Sequence, residues 1–146
     1  MPRTRSGCCV VEPEILQRRL ERLEEYLGIL RRLSSRSLTE FVADPTLYGS
    51  AERFLQLAIQ LVVDMGNHVV AAERLGRVQR TADVPHLLRE HGLVDAELAD
   101  KWTQMIGLRN LLAYGYMDID RSKVFQILQT QLVDLEALQR LFARML

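Results

Sequence analysis

Leucine recurs near the N-terminus at alternating spacings of four and three residues: Leu16, Leu20, Leu23, Leu27 and Leu30. That period draws one apolar stripe along a helix, with arginines and glutamates on the other faces. Such a stripe has to be buried against another element. A second stripe runs to the C-terminus through Val124, Ile127, Leu128, Leu132, Leu135, Leu138, Leu141 and Phe142. Between them, Phe54, Leu55, Ala58, Leu61, Val62, Met65, Val69 and Ala72 cover more than one face of a helix expected over about 51–75. A helix apolar on several faces belongs near the centre of a bundle. No period-two alternation or hairpin signal is present. The spacing predicts an all-α protein, an antiparallel bundle of four principal helices and a short one.

The punctuation supports the same division. Ser34 to Ser37 interrupts the first helix, and Asp44-Pro45 reads as a turn after a short segment, Thr39 to Leu47. Ser50 is the expected N-cap of the long helix, though it lacks the acidic partner of a capping box. Gly76 to Asp83 is a polar connection, and a short helix over 84–90 closes at His91-Gly92. Asp95 is placed to cap a helix running to about Ala113, and Asp120 to cap one last helix. Residues 1–11 read as a disordered extension, and 12–146 as one domain, consistent with a chain of 146 residues.

Charge narrows the partners. Nineteen Lys and Arg balance nineteen Asp and Glu, so no overall field draws the chain to nucleic acid or anionic lipid. A polyanion must be held by a local cluster. All the basic residues except Lys101 and Lys123 are arginine, which favours fixed guanidinium forks. Cys8 and Cys9 are adjacent and offer neither a long-range staple nor zinc-ligand spacing. The first eleven residues lack the apolar run of a signal peptide, and the apolar stretches read as too interrupted to span a bilayer. The expectation is a cytoplasmic protein with no membrane role.

Polar residues mark two places. On the central helix, Gln56, Gln60, Asp64 and Asn67 or His68 recur every three or four positions, a strip that lines either a polar cavity or solvent. The helix ending near Ala113 carries Arg109 and Asn110, followed by Tyr114, Gly115, Tyr116, Asp118 and Asp120. Residues seven apart on an ideal helix lie about 20° out of line, so Arg109 and Tyr116 share a face. Arg109 and Tyr114 are splayed unless the helix tightens or ends, and Gly115 is a place for it to end. Two readings fit: a functional cluster of guanidinium, amide and phenols, or a structural helix end with an Arg–Asp pair and half-buried tyrosines.

The run Gly107-Leu108-Arg109-Asn110-Leu111-Leu112-Ala113-Tyr114-Gly115-Tyr116, with Ile119-Asp120 behind it, resembles the signature of HEPN-domain proteins, and of their HepT-like toxins in particular. Their pattern is Arg, four residues, His, one residue, Tyr. Phe54 to Gln60 leading to Asp64-Met65-Gly66-Asn67-His68 resembles the family's long second helix, and Leu87-Leu88 with His91-Gly92-Leu93 its short linking helix. The resemblance covers roughly residues 12–146. It implies a four- to five-helix HEPN-like bundle that forms a homodimer with the motif helices lining a shared cleft. It also implies a ribonuclease that uses no metal or other cofactor and acts on RNA (tRNA or mRNA) rather than DNA. The implied partner is a minimal nucleotidyltransferase antitoxin that adenylylates the motif tyrosine. Position by position, Arg109 matches the catalytic arginine, Asn110 its polar neighbour and Tyr116 the modified tyrosine.

The departure is Tyr114, which stands where the family carries its catalytic histidine. Imidazole titrates near neutral pH and can activate a ribose 2′-hydroxyl or protonate a leaving oxygen. A phenol with an ordinary pKa near 10 is a poor base at neutrality but still donates a hydrogen bond. An inactivating replacement made for expression, a natural member with altered chemistry, and a catalytically inactive module that binds nucleotide, RNA or a partner protein all fit. Two further residues are candidates to support the site: Asp64, as a carboxylate orienting Arg109 from the facing helix, and His68, whose other reading is structural. His86 and His91 read as surface or capping residues, and Trp102 as core.

Overall fold

A computed structural model describes residues 12–115 and 119–146. The expected extension over 1–11 lies outside the described residues, as do Tyr116 and Asp118. Seven helices and no strand occur among the described residues: α1 (Pro13–Ser34), α2 (Leu38–Ala43), α3 (Pro45–Ala72), α4 (Asp83–Glu90), α5 (Ala96–Tyr114), α6 (Arg121–Thr130) and α7 (Leu132–Ala143). α3 is the hub. It packs on α1 and α5 and also touches α2, α4, α6 and α7.

The leucine stripe of α1 is buried along its whole length, and Leu33 extends it. Its solvent side is tied to α7, where Arg31 bridges Glu24 and Glu136, both at 3.1 Å. Gln139 donates to Glu24 at 2.6 Å. This bond, followed by the one from Arg31, holds the Glu24 carboxyl below the usual carboxylate range. A lowered folded-state pKa adds stability above the unfolded-state pKa that is lost as pH falls through the folded one, so this tie loosens in acid.

Two helix starts differ from the sequence expectation. α3 begins at Pro45, where Asp44 accepts from the Thr46 N–H at 2.9 Å. Asp44-Pro45 is therefore an N-cap followed by proline at the first helical position, where the missing N–H costs nothing. Ser50 lies inside the helix and caps nothing. The capping box sits instead at α2: Ser37 Oγ accepts from the Glu40 N–H while Glu40 accepts from the Ser37 N–H. That short helix inserts Phe41 into the core against Phe125.

The last expected helix is two. α6 stops at Thr130 and α7 starts at Leu132, with Gln131 at φ −116°, ψ −3° between them. Thr130 Oγ1 donates back to the Gln126 carbonyl at 2.8 Å, a local bond that competes with the helical ladder and bends it. The other ends follow expectation. Asp95 accepts from the Leu98 N–H at 2.7 Å, Asp120 from the Ser122 N–H at 3.0 Å, and α4 closes with Gly92 at φ 74°.

α3 also corrects the reading of apolar stretches. By length and composition it would cross a membrane, but half of its most apolar window is buried in the bundle. Its hydrophobicity is that of a core helix.

Packing is tight at Gly66, which is buried in the core. A Cβ there would meet Val84 Cγ1 at 2.5 Å and Trp102 Cη2 at 2.8 Å. The bare backbone lets α3 approach both α4 and the fully buried Trp102, whose ring stands edge-on to Phe142 at 5.8 Å. Gly66→Ala gains about 1 kcal/mol of helix propensity but overpacks the core at a cost of about 1–3 kcal/mol. Trp102 is enclosed and cannot yield, so the expected outcome is a net loss and a melting midpoint lower by several degrees in thermal unfolding.

Candidate functional site

α5 has two parts with different surroundings. Ala99, Trp102, Met105 and Ile106 anchor its first part in the core. From Gly107 to Gly115 no residue is fully buried, and Leu111 and Tyr114 are 52% and 68% exposed. The motif thus rides on a helix end held by its base and open at its tip.

Arg109 turns back toward α3. Its Nη1 donates to Gln60 Oε1 at 2.8 Å, and Gln60 Nε2 donates to Asp64 Oδ1 at 2.8 Å. Gln60 and Asp64 are four residues apart on α3, one turn along the same face. An ionised carboxylate only accepts hydrogen bonds. Asp64 therefore fixes the Gln60 amide with its nitrogen inward and its oxygen toward Arg109. Asp64 was expected to orient Arg109 from the facing helix. The structure puts a neutral amide, Gln60, between them. Gln60 belonged to the polar strip visible in the sequence, but its spacing alone did not attach it to Arg109. Because the group touching the guanidinium is neutral, the positive charge of Arg109 is not cancelled by an ion pair among the described residues. Arg109 Nε is buried without a hydrogen-bond partner, and no described residue accepts from Nη2.

The remaining candidates are spread around this relay. His68 Nε2 accepts from the Glu12 N–H at 3.0 Å. It satisfies a backbone donor at the start of α1, which is the structural one of its two readings, and its bond runs to α1, not to α5. Asn110 is exposed and faces away from Gln60, into an open recess of about 500 Å³ shared with Gln79, Arg80, Thr81, Ala82 and Ile106. Tyr114 ends α5, which stays helical until the Gly115 N–H closes on the Leu111 carbonyl at 2.9 Å. Five helical residues turn through about 500°, so Tyr114 and Arg109 point about 140° apart. The helix does not tighten between them, and the phenol is not brought to the guanidinium within one chain. Tyr116 lies outside the described residues. Asp120 is engaged locally: the Ser122 hydroxyl and then its N–H hold the carboxyl below its ordinary range. Among the described residues no group of three or more His, Cys, Asp or Glu side chains is placed to hold a metal ion.

Comparison with known proteins gives this arrangement its context. The family model described as Ribonuclease HepT-like matches residues 16–141. The tRNA nuclease HepT of Aphanizomenon flos-aquae (strain 2012/KM1/D3) is 30% identical over 115 residues, covering 79% of this chain and 78% of the relative. The mRNA nuclease HepT of Shewanella oneidensis is 31% identical over 98 residues, covering 67% of this chain and 74% of the relative. In fold, the chain superposes with a TM-score of 0.84 on the tri-AMPylated Shewanella oneidensis HEPN toxin solved in complex with its MNT antitoxin. That match has 23% identity and covers 91% of this chain and 99% of the other. The helical order, the buried second long helix and the arginine motif at an open helix end thus sit on a family match spanning most of the chain, and the protein belongs to the Ribonuclease HepT-like family.

Proposed function

We propose that this protein is the toxin of a toxin–antitoxin pair, a HEPN ribonuclease that cleaves cellular RNA in the cytoplasm and is silenced by a nucleotidyltransferase antitoxin. The observation that carries the reading is the state of Arg109: a guanidinium pinned by a neutral amide, in no ion pair among the described residues, at the end of a helix whose tip is open. Family membership and the names of the two nuclease relatives support it.

The chemistry follows from the groups present. In metal-independent RNA cleavage the ribose 2′-hydroxyl attacks the adjacent phosphorus and the 5′-oxygen leaves with a proton. Charge accumulates on the non-bridging oxygens in between. Arg109 supplies charge-assisted hydrogen bonds to those oxygens, and Gln60 holds it so that little reorganisation is needed at the transition state. The Tyr114 hydroxyl can donate its hydrogen bond to the leaving oxygen, and it brings no imidazole to the attacking hydroxyl. A slow nuclease is the consequence. With total RNA or tRNA as substrate, Arg109→Ala should abolish cleavage. Gln60→Leu should lower the maximal rate without unfolding the bundle. Tyr114→His should accelerate cleavage by about 10²–10⁴-fold, the usual worth of positioned acid–base help. A Tyr114→His protein that cuts nothing the Arg109→Ala control leaves intact would reduce the chain to a non-catalytic binding module.

A second copy of the chain completes the site in this reading. Leu111 and Tyr114 are exposed on one helix end beside half-buried Leu108 and Leu112, more apolar surface than a free helix tip favours. Two α5 tips meeting there would place Tyr114 of one chain near the cleft of the other. Sedimentation should give a dimer mass for the unaltered chain and a monomer mass for Leu111→Asp, with cleavage lost in parallel.

The same reading assigns Tyr116 as the acceptor of AMP. An adenylyl group on that phenol adds negative charge and bulk to the motif that carries Arg109, and so opposes an RNA phosphate there. After incubation with the cognate transferase and ATP, peptide mass spectrometry should find adenylate on Tyr116. Label confined to Tyr114 would move the assignment, and no label would remove it.

A further inference from the structure

Beside Arg109 there is a polar feature that the motif does not use. The connector between α3 and α4 opens on Glu73 and then carries Arg74, Arg77 and Arg80 before the next acid, in a chain of zero formal net charge. The acid that follows, Asp83, is turned onto the connector's own backbone. It accepts from the N–H groups of Arg80 and Gln79 at 2.9 and 3.0 Å, and these two bonds, with the nearby charges of Arg80 and His86 adding to them, hold its carboxyl below the ordinary range. Its oxygens are spent on shaping the turn. None of the three arginines makes an ion pair among the described residues.

This turn forms one wall of the recess that Asn110 faces. Arg80, Gln79 and Thr81 line it from the connector, and Asn110 and Ile106 from α5. The opening of about 500 Å³ has room for a sugar–phosphate unit. Its lining offers a cation with no ion pair among the described residues, two amides and a hydroxyl, and no carboxylate. Asn110 follows Arg109 in the chain and points about 100° away from it. A strand with one phosphate at Arg109 reaches the recess by turning around the end of α5.

We propose that this recess is a second RNA subsite, which binds a phosphodiester flanking the scissile one. Arg80 supplies the counter-charge, and Asn110, Gln79 and Thr81 hydrogen-bond to the attached ribose. The assignment rests on the ribonuclease reading above and extends it to the strand beyond the cut. It also gives Asn110 a role distinct from that of Arg109: Asn110 is a positioning residue for the strand. A single-stranded RNA backbone fits this lining better than a protein surface does. The cation makes no ion pair among the described residues, and the hydrogen-bonding groups are small and spaced around it.

The test is binding of a labelled, unmodified single-stranded RNA to the full-length protein over a series of salt concentrations, read at early times while a gel shows the RNA still intact. Arg80→Ala should weaken binding whatever the RNA sequence. It should also lower the slope of log affinity against log salt by about 0.7, the loss of one phosphate contact on a single strand. Arg80→Lys keeps the charge and should keep the slope. Arg22→Ala, on the exposed face of α1 away from the connector, should change neither. If Arg109→Ala loses binding while Arg80→Ala behaves like Arg22→Ala, the subsite is wrong and the ribonuclease reading stands. If Arg109→Ala also leaves binding unchanged, the ribonuclease reading fails and takes the subsite with it. If Arg80→Ala keeps its RNA affinity but no longer holds the nucleotidyltransferase partner, the surface belongs to a protein contact and the RNA assignment is overturned. Arg80 is exposed, and alanine keeps the backbone bond to Asp83. A circular dichroism spectrum matching the unaltered chain then confirms that each readout concerns binding and not folding.

Discussion

Burial of α3 is the constraint on which the rest of the structure depends. A 28-residue helix enclosed by its neighbours cannot leave a polar strip unsatisfied. Gln60 and Asp64 lie on its half-buried side and must find partners there. Asp64 accepts and cannot donate, so it takes the nitrogen of Gln60 and forces the amide oxygen outward. The requirement to satisfy a core helix thereby selects what faces α5: an acceptor, neutral, and fixed in orientation. Arg109 is the donor that answers it. Had a carboxylate stood in the place of Gln60, the arginine would have been held as firmly, but its charge would have been consumed by an ion pair.

The approach of α3 to α5 sets where that donor can be. Gly66 lets the ring of Trp102 lie against the α3 backbone, and Trp102 in turn stands on Phe142. These contacts hold the first part of α5 as a rigid post and leave its last turns projecting from the core. A rigid base and an open tip suit a site that must keep a guanidinium in place while admitting a long polymer. They also expose Leu111 and Tyr114, which a single chain leaves uncovered. The same geometry separates Tyr114 from Arg109 around the helix, so the proposed chemistry calls for groups from two chains. Substituting tyrosine for histidine weakens the acid–base half of that chemistry but leaves the electrostatic half, the Arg109–Gln60–Asp64 relay, intact.

Much of this was legible in the sequence. The α1 stripe, the central position of α3, the caps at Asp95 and Asp120, the glycine stop at Gly92 and the location of the motif on the end of α5 all follow from local periodicity and terminus chemistry, which act within a few residues. Asp44-Pro45 and Ser37 with Glu40 were also local signals. Proline after aspartate fits a turn and a helix start equally well, and only the packing of α3 distinguishes them. The break at Gln131 was hidden because the apolar stripe continues across it, and periodicity does not register a bend that keeps the same face inward.

The sequence by itself determined that the chain is helical, which faces are apolar, and that Arg109, Asn110, Tyr114 and Tyr116 lie together along one segment. Those properties depend on neighbours in the chain. Tertiary structure decided the rest. It set Gln60 between Asp64 and Arg109, tied His68 to the start of α1, turned Asn110 toward the arginine-bearing connector, and left Tyr114 facing outward. Each of these depends on the rotation of one helix against another. That rotation is fixed by side-chain packing between residues far apart in sequence, such as Gly66 and Trp102, and no local pattern encodes it.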